Sequence, residues 1–283
     1  MRFSEDRIEK LVCSDGIGRN IHIWEPLKPK ALFLAIHGGM AHGGDFLTPA
    51  KYFKKHGIAT VAHDLHGHDG KEKVYIPRFK VFLDDLELMI AWAKKSYPGV
   101  PIIILAHSMG AVIATLFEIK GFANDPQIKG FVFSSPYYVN AINTPPFLLK
   151  VVGLLSAIVP KNTVPLEDIK PYLTHDKAIT QRHSEDERDH LRASKISARF
   201  ANELILAQQY IPANIERWSH PLFCVIAGND RVADANAAQQ LLKKIDSNLL
   251  TLKFYPDNYH ENFNEINREE IYANIMKWVD QLI

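Results

Sequence analysis

The sequence is poor in the features that mark several large classes of protein. Its 283 residues include only two cysteines, Cys13 and Cys224, which lie far apart and form no motif. Such a pair indicates a reducing compartment rather than a disulfide scaffold. The formal net charge is only +1, which gives no electrostatic case for a nucleic-acid partner or an acidic membrane surface. We therefore expect an ordinary cytoplasmic protein.

Long hydrophobic runs are also absent. The opening residues, MRFSEDRIEK, are charged and have no apolar core, so they do not resemble a signal peptide. The strongest apolar segment outside the predicted strands covers residues 147–159. It contains Lys150, lies between Pro146 and Pro160, and is too short to span a bilayer.

What the chain does contain is an alternation of strand-like and helix-like segments. Short apolar segments and a hairpin pattern predict strands at 8–14, 19–24, 31–36, 58–62, 101–106, 130–134, 222–227 and 249–255. Helical patterns cover residues 48–56, 79–96, 111–117, 239–245 and 269–282. This alternation predicts an α/β fold with a mostly parallel central sheet and helices on both faces.

A long interruption divides this pattern. Between residues 137 and 218 the alternation stops, and it resumes with the strand at 222–227. We predict an α/β core formed by residues 1–136 and 219–283, with a helical cap inserted at 137–218. An insertion of this length is expected to cover the strand ends, where open α/β sheets bind their ligands.

The most informative segment is residues 101–117, PIIILAHSMGAVIATLF. An apolar strand leads into His107-Ser108-Met109-Gly110, and a helix of small and apolar residues follows directly. This pattern is typical of a nucleophile elbow, in which a strained turn exposes a serine hydroxyl above a parallel sheet. Gly110 is one small neighbour of the serine, and Ala106 stands where glycine is usual. The segment predicts Ser108 as a nucleophile.

A nucleophilic serine needs a base, and the base needs an acid to orient it. Asp230 follows the predicted strand 222–227, and His260 follows the predicted strand 249–255, so the chain order is Ser, acid, His. We predict these three residues as a catalytic triad. Asp234 is a competing acid, and Asp257 is a weaker one.

The tetrahedral oxyanion of an acyl-transfer reaction needs hydrogen-bond donors as well. The backbone N–H of Met109, directly after the nucleophile, is one predicted donor. The second is the N–H of Gly39 in the loop His37-Gly38-Gly39, where glycines let the backbone approach closely.

Five motifs in this order, IHGGMAHGG, VAHDLHGHDG, LAHSMGA, GNDRVAD and YPDNYHENFNE, make the chain resemble the monoacylglycerol lipase and lysophospholipase family of α/β-hydrolases. The likeness covers nearly the whole chain. It implies a serine esterase that cleaves esters of a single long acyl chain, with a mobile apolar cap and no metal or organic cofactor. Carried over by position, it gives the triad Ser108, Asp230 and His260 and the oxyanion donors Gly39 and Met109.

The sequence departs from the family pattern in the loop after the first core strand. Family members often have a glutamate and an arginine there that hold a glycerol headgroup, and Ala41 and Asp45 occupy those places here. A second feature, the histidines 63, 66 and 68 beside Asp64 and Asp69, has the composition of a metal site. Because the family uses this turn structurally, we expect no metal.

The apolar cap segment at 147–159 allows two interpretations. Its side chains are apolar on nearly every face, so the segment is either buried in the core of the cap or in contact with lipid. We predict Phe147, Val151, Leu155 and Ile158 as acyl contacts, with transient contact of the cap with a membrane surface.

Other functions stay open at this point. A serine peptidase of the iminopeptidase type shares the scaffold and would need acids directed at a substrate amine, for which Glu185, Asp186 and Glu187 are the candidates. Thioesterase or acyltransferase activity is a smaller alternative. A catalytically silent binding protein would have no need to keep the three triad residues in order. The headgroup, acyl length and oligomeric state are not predicted.

Overall fold

An eight-stranded sheet forms the centre of the computed structural model, which describes residues 2–68, 70–142, 145–164 and 167–283. Within these ranges the strands are β1 (Arg7–Val12), β2 (Gly18–Trp24), β3 (Ala31–Ile36), β4 (Ile58–His63), β5 (Lys73–Val74), β6 (Ile102–His107), β7 (Ile128–Ser134), β8 (Thr163–Val164), β9 (Lys195–Ser197), β10 (Leu222–Ala227) and β11 (Leu250–Tyr255). The α-helices are α1 (Leu47–Lys55), α2 (Lys80–Ser96), α3 (Met109–Ile119), α4 (Pro146–Ile158), α5 (Lys177–Arg188), α6 (Ala198–Tyr210), α7 (Ala235–Leu242) and α8 (Arg268–Val279).

The strands of the central sheet lie in the order β1-β2-β4-β3-β6-β7-β10-β11. Within this order the six strands β4, β3, β6, β7, β10 and β11 pair in parallel, while β1 and β2 pair antiparallel with their neighbours. All residues of β3, β4 and β10 are buried, which explains why these strands are apolar runs rather than alternating ones. The predicted mostly parallel sheet is therefore confirmed.

Helices cover both faces of this sheet. On one face, Leu34 of β3 belongs to the same buried cluster as residues of α2 and α3. On the other face, its neighbour Phe33 packs in a second cluster with Phe53 of α1 and Tyr272 of α8. Neighbouring residues of one strand thus enter different cores because their side chains point to opposite faces.

Between β7 and β10 lie the helices α4, α5 and α6 and the short strands β8 and β9. Strand β9 pairs with β8 and also with β5, which follows β4 in the core. Strands of two or three residues have no detectable period, so the sequence did not predict this small sheet. The division into a core and a cap at residues 137–218 stays a prediction.

Both cysteine thiols are buried: Cys13 is 4% exposed and Cys224 is fully enclosed. Burial raises the pKa of the Cys13 thiol to about 11 and also raises that of Cys224. Among the described residues, none of the helices combines the length and apolar character needed to cross a membrane.

Candidate active site

Ser108 lies on a sharp turn between β6 and α3. Its backbone has φ 53° and ψ −117°, a region that residues other than glycine avoid. The turn brings α3 so close to β3 that a Cβ at Gly110 would lie 2.2 Å from the carbonyl oxygen of Ile36. Glycine is therefore required at position 110, whereas the methyl group of Ala106 fits in a fully buried site.

The side chains of Ser108, His260 and Asp230 form a continuous line of hydrogen bonds. His260 Nε2 lies 2.8 Å from Ser108 Oγ, and His260 Nδ1 lies 2.7 Å from Asp230 Oδ2. Ser108 is 6% exposed and His260 is 3% exposed. The structure thus brings the three predicted residues together in an enclosed site at the carboxyl ends of β6, β10 and β11.

The Asp230 carboxylate is held by its own loop as well as by His260. Its Oδ1 accepts hydrogen bonds from the backbone N–H groups of Val232 and Ala233 at 2.8 and 2.9 Å. Burial alone would raise the pKa of Asp230, but the charge and hydrogen bond of His260 and these two amide bonds outweigh burial and lower it. Asp230 therefore remains a carboxylate that can accept a hydrogen bond from the Nδ1–H of the histidine.

The two competing acids have other surroundings. Asp234 is the N-cap of α7, and its side chain accepts the backbone N–H of Ala237 at 2.9 Å. Asp257 is exposed to solvent. The contact with His260 is made by Asp230.

A ladder of amide side chains supports the loop that carries His260. Asn262 donates to Ser135 Oγ at 2.9 Å, and Asn258 donates to Asn262 Oδ1 at the same distance. Asn258 and Asn267 also exchange two hydrogen bonds. No local pattern predicts this ladder, although two of its asparagines, Asn258 and Asn262, belong to the motif YPDNYHENFNE.

The segment before α5 contacts the same loop from the other side. The carbonyl oxygen of Leu173 accepts the N–H of Glu261 at 2.8 Å. The buried carboxylate of Glu265 accepts a hydrogen bond from the N–H of Tyr259 at 2.8 Å and lies 2.9 Å from Nδ1 of His175. The ring of His175 also stacks on that of Tyr259. The position of His260 is therefore fixed jointly by the core and by residues of the predicted cap.

The two predicted oxyanion donors lie next to Ser108. Met109 is the first residue of α3, so its N–H has no partner within the helix. A Cβ at Gly38 would lie 3.2 Å from Cβ of Ser108, and a Cβ at Gly39 would lie 3.8 Å from Sδ of Met109. The His37-Gly38-Gly39 loop therefore packs directly against the nucleophile turn, and the role of the two N–H groups as oxyanion donors stays a prediction.

A cluster of buried charges lies beside this loop, where the sequence departs from the family pattern. Asp45 contacts Arg192 at 2.5 Å and lies 3.8 Å from Arg182. Glu261, next to the triad histidine, lies 3.4 Å from His183 and 3.9 Å from Arg192. Burial would raise the pKa of Asp45, but Arg192 and its other cationic neighbours keep that pKa far below its ordinary value.

The oxygen and nitrogen atoms of His42, Asp45 and Asp186 lie within 4.8 Å of one another, a spacing that could hold a metal ion. However, Arg2 already binds Oδ1 of Asp186 and Arg192 binds Oδ2 of Asp45. The two guanidinium groups would repel a metal ion bound to the same carboxylates. We therefore assign this group to ion pairs.

The histidine turn that has the composition of a metal site is arranged differently. Within the described residues, His63, His66, His68 and Asp64 do not form a group with metal-ligand spacing, and Asp69 lies outside those residues. His63 is fully buried, and burial lowers its pKa to about 4.

The four predicted acyl contacts all lie on the outer face of α4. Their exposed fractions are 63% for Phe147, 44% for Val151, 36% for Leu155 and 69% for Ile158. The opposite face of the helix packs on α6, where Ser156 is buried. The assignment of these residues to acyl contact stays a prediction.

Comparisons with known proteins show which family and which fold this chain resembles. The family described as "Serine aminopeptidase, S33" matches residues 27–267. The chain is 26% identical over 261 residues to the monoacylglycerol lipase of Mycolicibacterium smegmatis, covering 91% of each protein. It is also 27% identical over 280 residues to an uncharacterized abhydrolase domain-containing protein of Dictyostelium discoideum, but it spans only 29% of that protein's length.

The crystal structure of Paleococcus ferrophilus monoacylglycerol lipase superposes with a TM-score of 0.80 at 18% identity. The match covers 94% of this chain and 100% of the other. These comparisons confirm the predicted α/β-hydrolase fold and the resemblance to monoacylglycerol lipases.

Asp45→Asn should destabilise the protein in a pH-dependent way. The substitution leaves Arg192 and Arg182 without their nearest anion, which should cost about 3 kcal/mol at pH 7. Because folding lowers the pKa of Asp45, its contribution is complete above pH ~4 and declines as the pH falls below that value. Urea unfolding at pH 7 and pH 3 should show a smaller difference between wild type and variant at pH 3.

The matched control is Asp84→Asn, which removes a carboxylate from an ion pair with Lys80 on the outside of α2. It should change the free energy of unfolding by less than about 1 kcal/mol. Equal effects of the two substitutions would contradict the role given to the buried cluster.

Proposed function

The chain belongs to the serine aminopeptidase S33 family, and we propose that it is a serine hydrolase of carboxylic esters that carry a single acyl chain. The observation that carries this proposal is the hydrogen-bonded line from Ser108 through His260 to Asp230. Such a line activates a hydroxyl that is otherwise a poor nucleophile at neutral pH. The similarity to monoacylglycerol lipases supports the substrate class.

In the proposed mechanism, Ser108 Oγ attacks the ester carbonyl while His260 Nε2 takes its proton. Asp230 keeps the other proton of the ring on Nδ1 and stabilises the imidazolium. The oxyanion receives hydrogen bonds from the N–H groups of Gly39 and Met109. His260 then gives its proton to the leaving alcohol, and the acyl group stays on Ser108. His260 then takes a proton from water, whose oxygen attacks the acyl carbon. The bond from that carbon to Ser108 Oγ breaks, His260 returns the proton to Oγ, and the acid is released.

The peptidase alternative receives little support from the acids proposed for it. Asp186 is fully buried and bound to Arg2, and Glu187 is paired with Lys170. Glu185 accepts a hydrogen bond from Gln181. Asp186 and Glu187 are thus already paired with cations, and Glu185 is the one carboxylate of the three for which the structure gives a neutral partner. Because the matching family is described as a serine aminopeptidase, an aminoacyl amide is included among the substrates to be tested.

The alcohol side of the substrate faces an unusual environment for this family. A cavity of about 30 Å³ lies beside the elbow, with His107, Gly38, Ala41, Asp45 and Glu261 among its lining residues. Where relatives hold glycerol with a glutamate and an arginine, the lining here offers a methyl group and a carboxylate. We therefore leave the headgroup open among glycerol, lysophospholipid and other alcohols.

The outer face of α4 is the proposed contact with lipid. Phe147, Val151, Leu154 and Ile158 are exposed on one side of a helix that is packed on its other side. An amphipathic helix of this kind can lie in a membrane surface without crossing it. We propose that α4 brings the enzyme to substrate held in membranes or micelles, and that its side chains also meet the acyl chain.

Ser108→Ala should abolish ester hydrolysis and leave the fold intact. The expected loss of turnover is on the order of a millionfold, because the nucleophile, base and acid act as a unit. The assay uses nitrophenyl esters, monoacylglycerol, lysophospholipid and an aminoacyl amide, together with labelling by a fluorophosphonate. Turnover within tenfold of wild type, or labelling that persists in the variant, would exclude Ser108 as the nucleophile.

Asp230→Asn should lower turnover on the order of ten-thousandfold, because asparagine favours the wrong histidine tautomer. Asp234→Asn is the matched control. It changes an aspartate four residues away, and asparagine serves as well at a helix N-cap. Steady-state turnover of a soluble ester measures both. A larger loss in the Asp234 variant would mean that the acid is misassigned.

Val151→Asp should reduce binding to phospholipid vesicles about tenfold, because it places a charge in the centre of the apolar face. It should also remove the gain in efficiency from acetyl to octanoyl esters, while acetyl ester hydrolysis stays nearly unchanged. Each buried methylene contributes at most about 0.8 kcal/mol to that gain. Vesicle sedimentation and a series of chain lengths provide the two measurements.

Ser184→Asp on the polar helix α5 is the control, since it adds the same charge to another exposed helix. If both variants bind vesicles as wild type does, and their chain-length curves are parallel, α4 has no role in lipid contact.

A further inference from the structure

His37 is a buried histidine at the carboxyl end of β3, 1% exposed, with both ring nitrogens in use. Its Nδ1 lies 2.8 Å from the carbonyl oxygen of Gly38, and its Nε2 lies 3.0 Å from the backbone nitrogen of Leu65. The N–H of Leu65 can only donate, so Nε2 must be the unprotonated acceptor. Nδ1 therefore carries the ring proton and donates it to the Gly38 oxygen.

The Gly38 oxygen belongs to the same peptide group as the N–H of Gly39. This peptide is planar, and among the described residues no peptide bond is cis, so its C=O and N–H point in opposite directions. A hydrogen bond that fixes the oxygen also fixes the direction of the N–H. The only other bond that we find to this oxygen in the described part of the chain is a longer one, 3.4 Å, from the N–H of Ala41.

This peptide needs such support because it lies between two glycines. Glycine populates both halves of backbone conformational space at little cost, so rotation of the Gly38–Gly39 peptide is opposed by few steric contacts. A rotated peptide would present its carbonyl oxygen, instead of an N–H, toward Ser108, and a developing oxyanion would then meet repulsion.

We infer that His37 is a positioning residue that holds the Gly38–Gly39 peptide with the Gly39 N–H directed at the substrate carbonyl oxygen. The inference rests on the proposed function. It goes beyond that function because it assigns oxyanion stabilisation to a side chain that never touches the substrate. His37 reaches the reaction only through the peptide next to it.

The surroundings of His37 keep its ring in one state. Burial holds the pKa of His37 far below its usual range, and the nearby ring of His68, 5.1 Å away, acts in the same direction. Asp64 opposes this shift, while His42 adds to it. A neutral ring with one fixed tautomer can donate at Nδ1 and accept at Nε2 over the whole working pH range.

The two hydrogen bonds of His37 allow its positioning role to be separated from a merely structural one. The amide of an asparagine side chain can occupy the place of Nδ1, so His37→Asn retains a donor to Gly38 but loses the acceptor for Leu65. Glutamine reaches the place of Nε2, so His37→Gln retains the acceptor but loses the donor. His63→Gln, at a fully buried histidine of β4 outside the site, controls for replacing a buried ring.

We expect His37→Gln to lower kcat about a hundredfold with little change in KM, as for loss of one oxyanion donor. Its affinity for a trifluoromethyl ketone, which forms a tetrahedral adduct on serine, should fall by a similar factor. His37→Asn should keep kcat within about tenfold of wild type but unfold at a lower urea concentration, because the Leu65 N–H is left without its acceptor. His63→Gln should leave kcat unchanged.

The reverse order, with the asparagine variant catalytically worse than the glutamine variant, would overturn the inference. So would losses of kcat that simply follow the losses of stability. Failure of the proposed function has a different signature: wild type itself would show no fluorophosphonate labelling and no hydrolysis that depends on Ser108.

A second measurement needs no variant. The ¹⁵N chemical shifts of the His37 ring in the wild-type protein should show a protonated Nδ1 and an unprotonated Nε2 between pH 5 and pH 8. The opposite tautomer would leave the Gly38 oxygen without its donor and would overturn the inference even if both variants failed to fold.

Discussion

The close approach of α3 to β3 at Gly110 is the constraint on which the rest of the site depends. A glycine there allows the helix to begin directly after the strand, and that in turn forces Ser108 into its strained backbone. The strain is held by hydrogen bonds: the N–H of Ser108 donates to Ser134, and its carbonyl oxygen accepts from Tyr137. These bonds join the nucleophile turn to β7 and to the segment that leads into α4. The serine is therefore positioned by backbone groups of its neighbours rather than by its own side chain.

The segment between β7 and β10 is attached unevenly. Its α5 part is joined to the core by partly buried ion pairs of Asp45 and Asp186, and by the stacked pair of His175 and Tyr259. In contrast, α4 packs mainly on α6 and presents apolar side chains outward. Residues around α5 thus share in placing His260, whereas α4 packs mainly on α6.

Much of this arrangement was predictable because it follows from local pattern. Continuous apolar runs predicted the parallel strands, and the small residues around Ser108 predicted the sharp turn that carries it. The start of α7 was predicted four residues too late, because the alanines and the asparagine after its N-cap Asp234 have no apolar period. The ladder of Asn258, Asn262 and Asn267 and the partners of Asp45 could not be predicted, since they join residues that are brought together only by the fold.

The outer face of α4 raises a separate question, namely where its apolar side chains lie at different moments of the enzyme's cycle. The burial of Cys13 and Cys224 makes this question accessible to spectroscopy. With the pKa of each thiol raised, neither cysteine forms an appreciable thiolate at neutral pH, and both are shielded from solvent. A cysteine introduced on the surface of α4 would therefore be the one readily labelled thiol of the native chain. A spin or fluorescent probe could be attached there without removing the natural cysteines, so the native core would remain intact during the measurement.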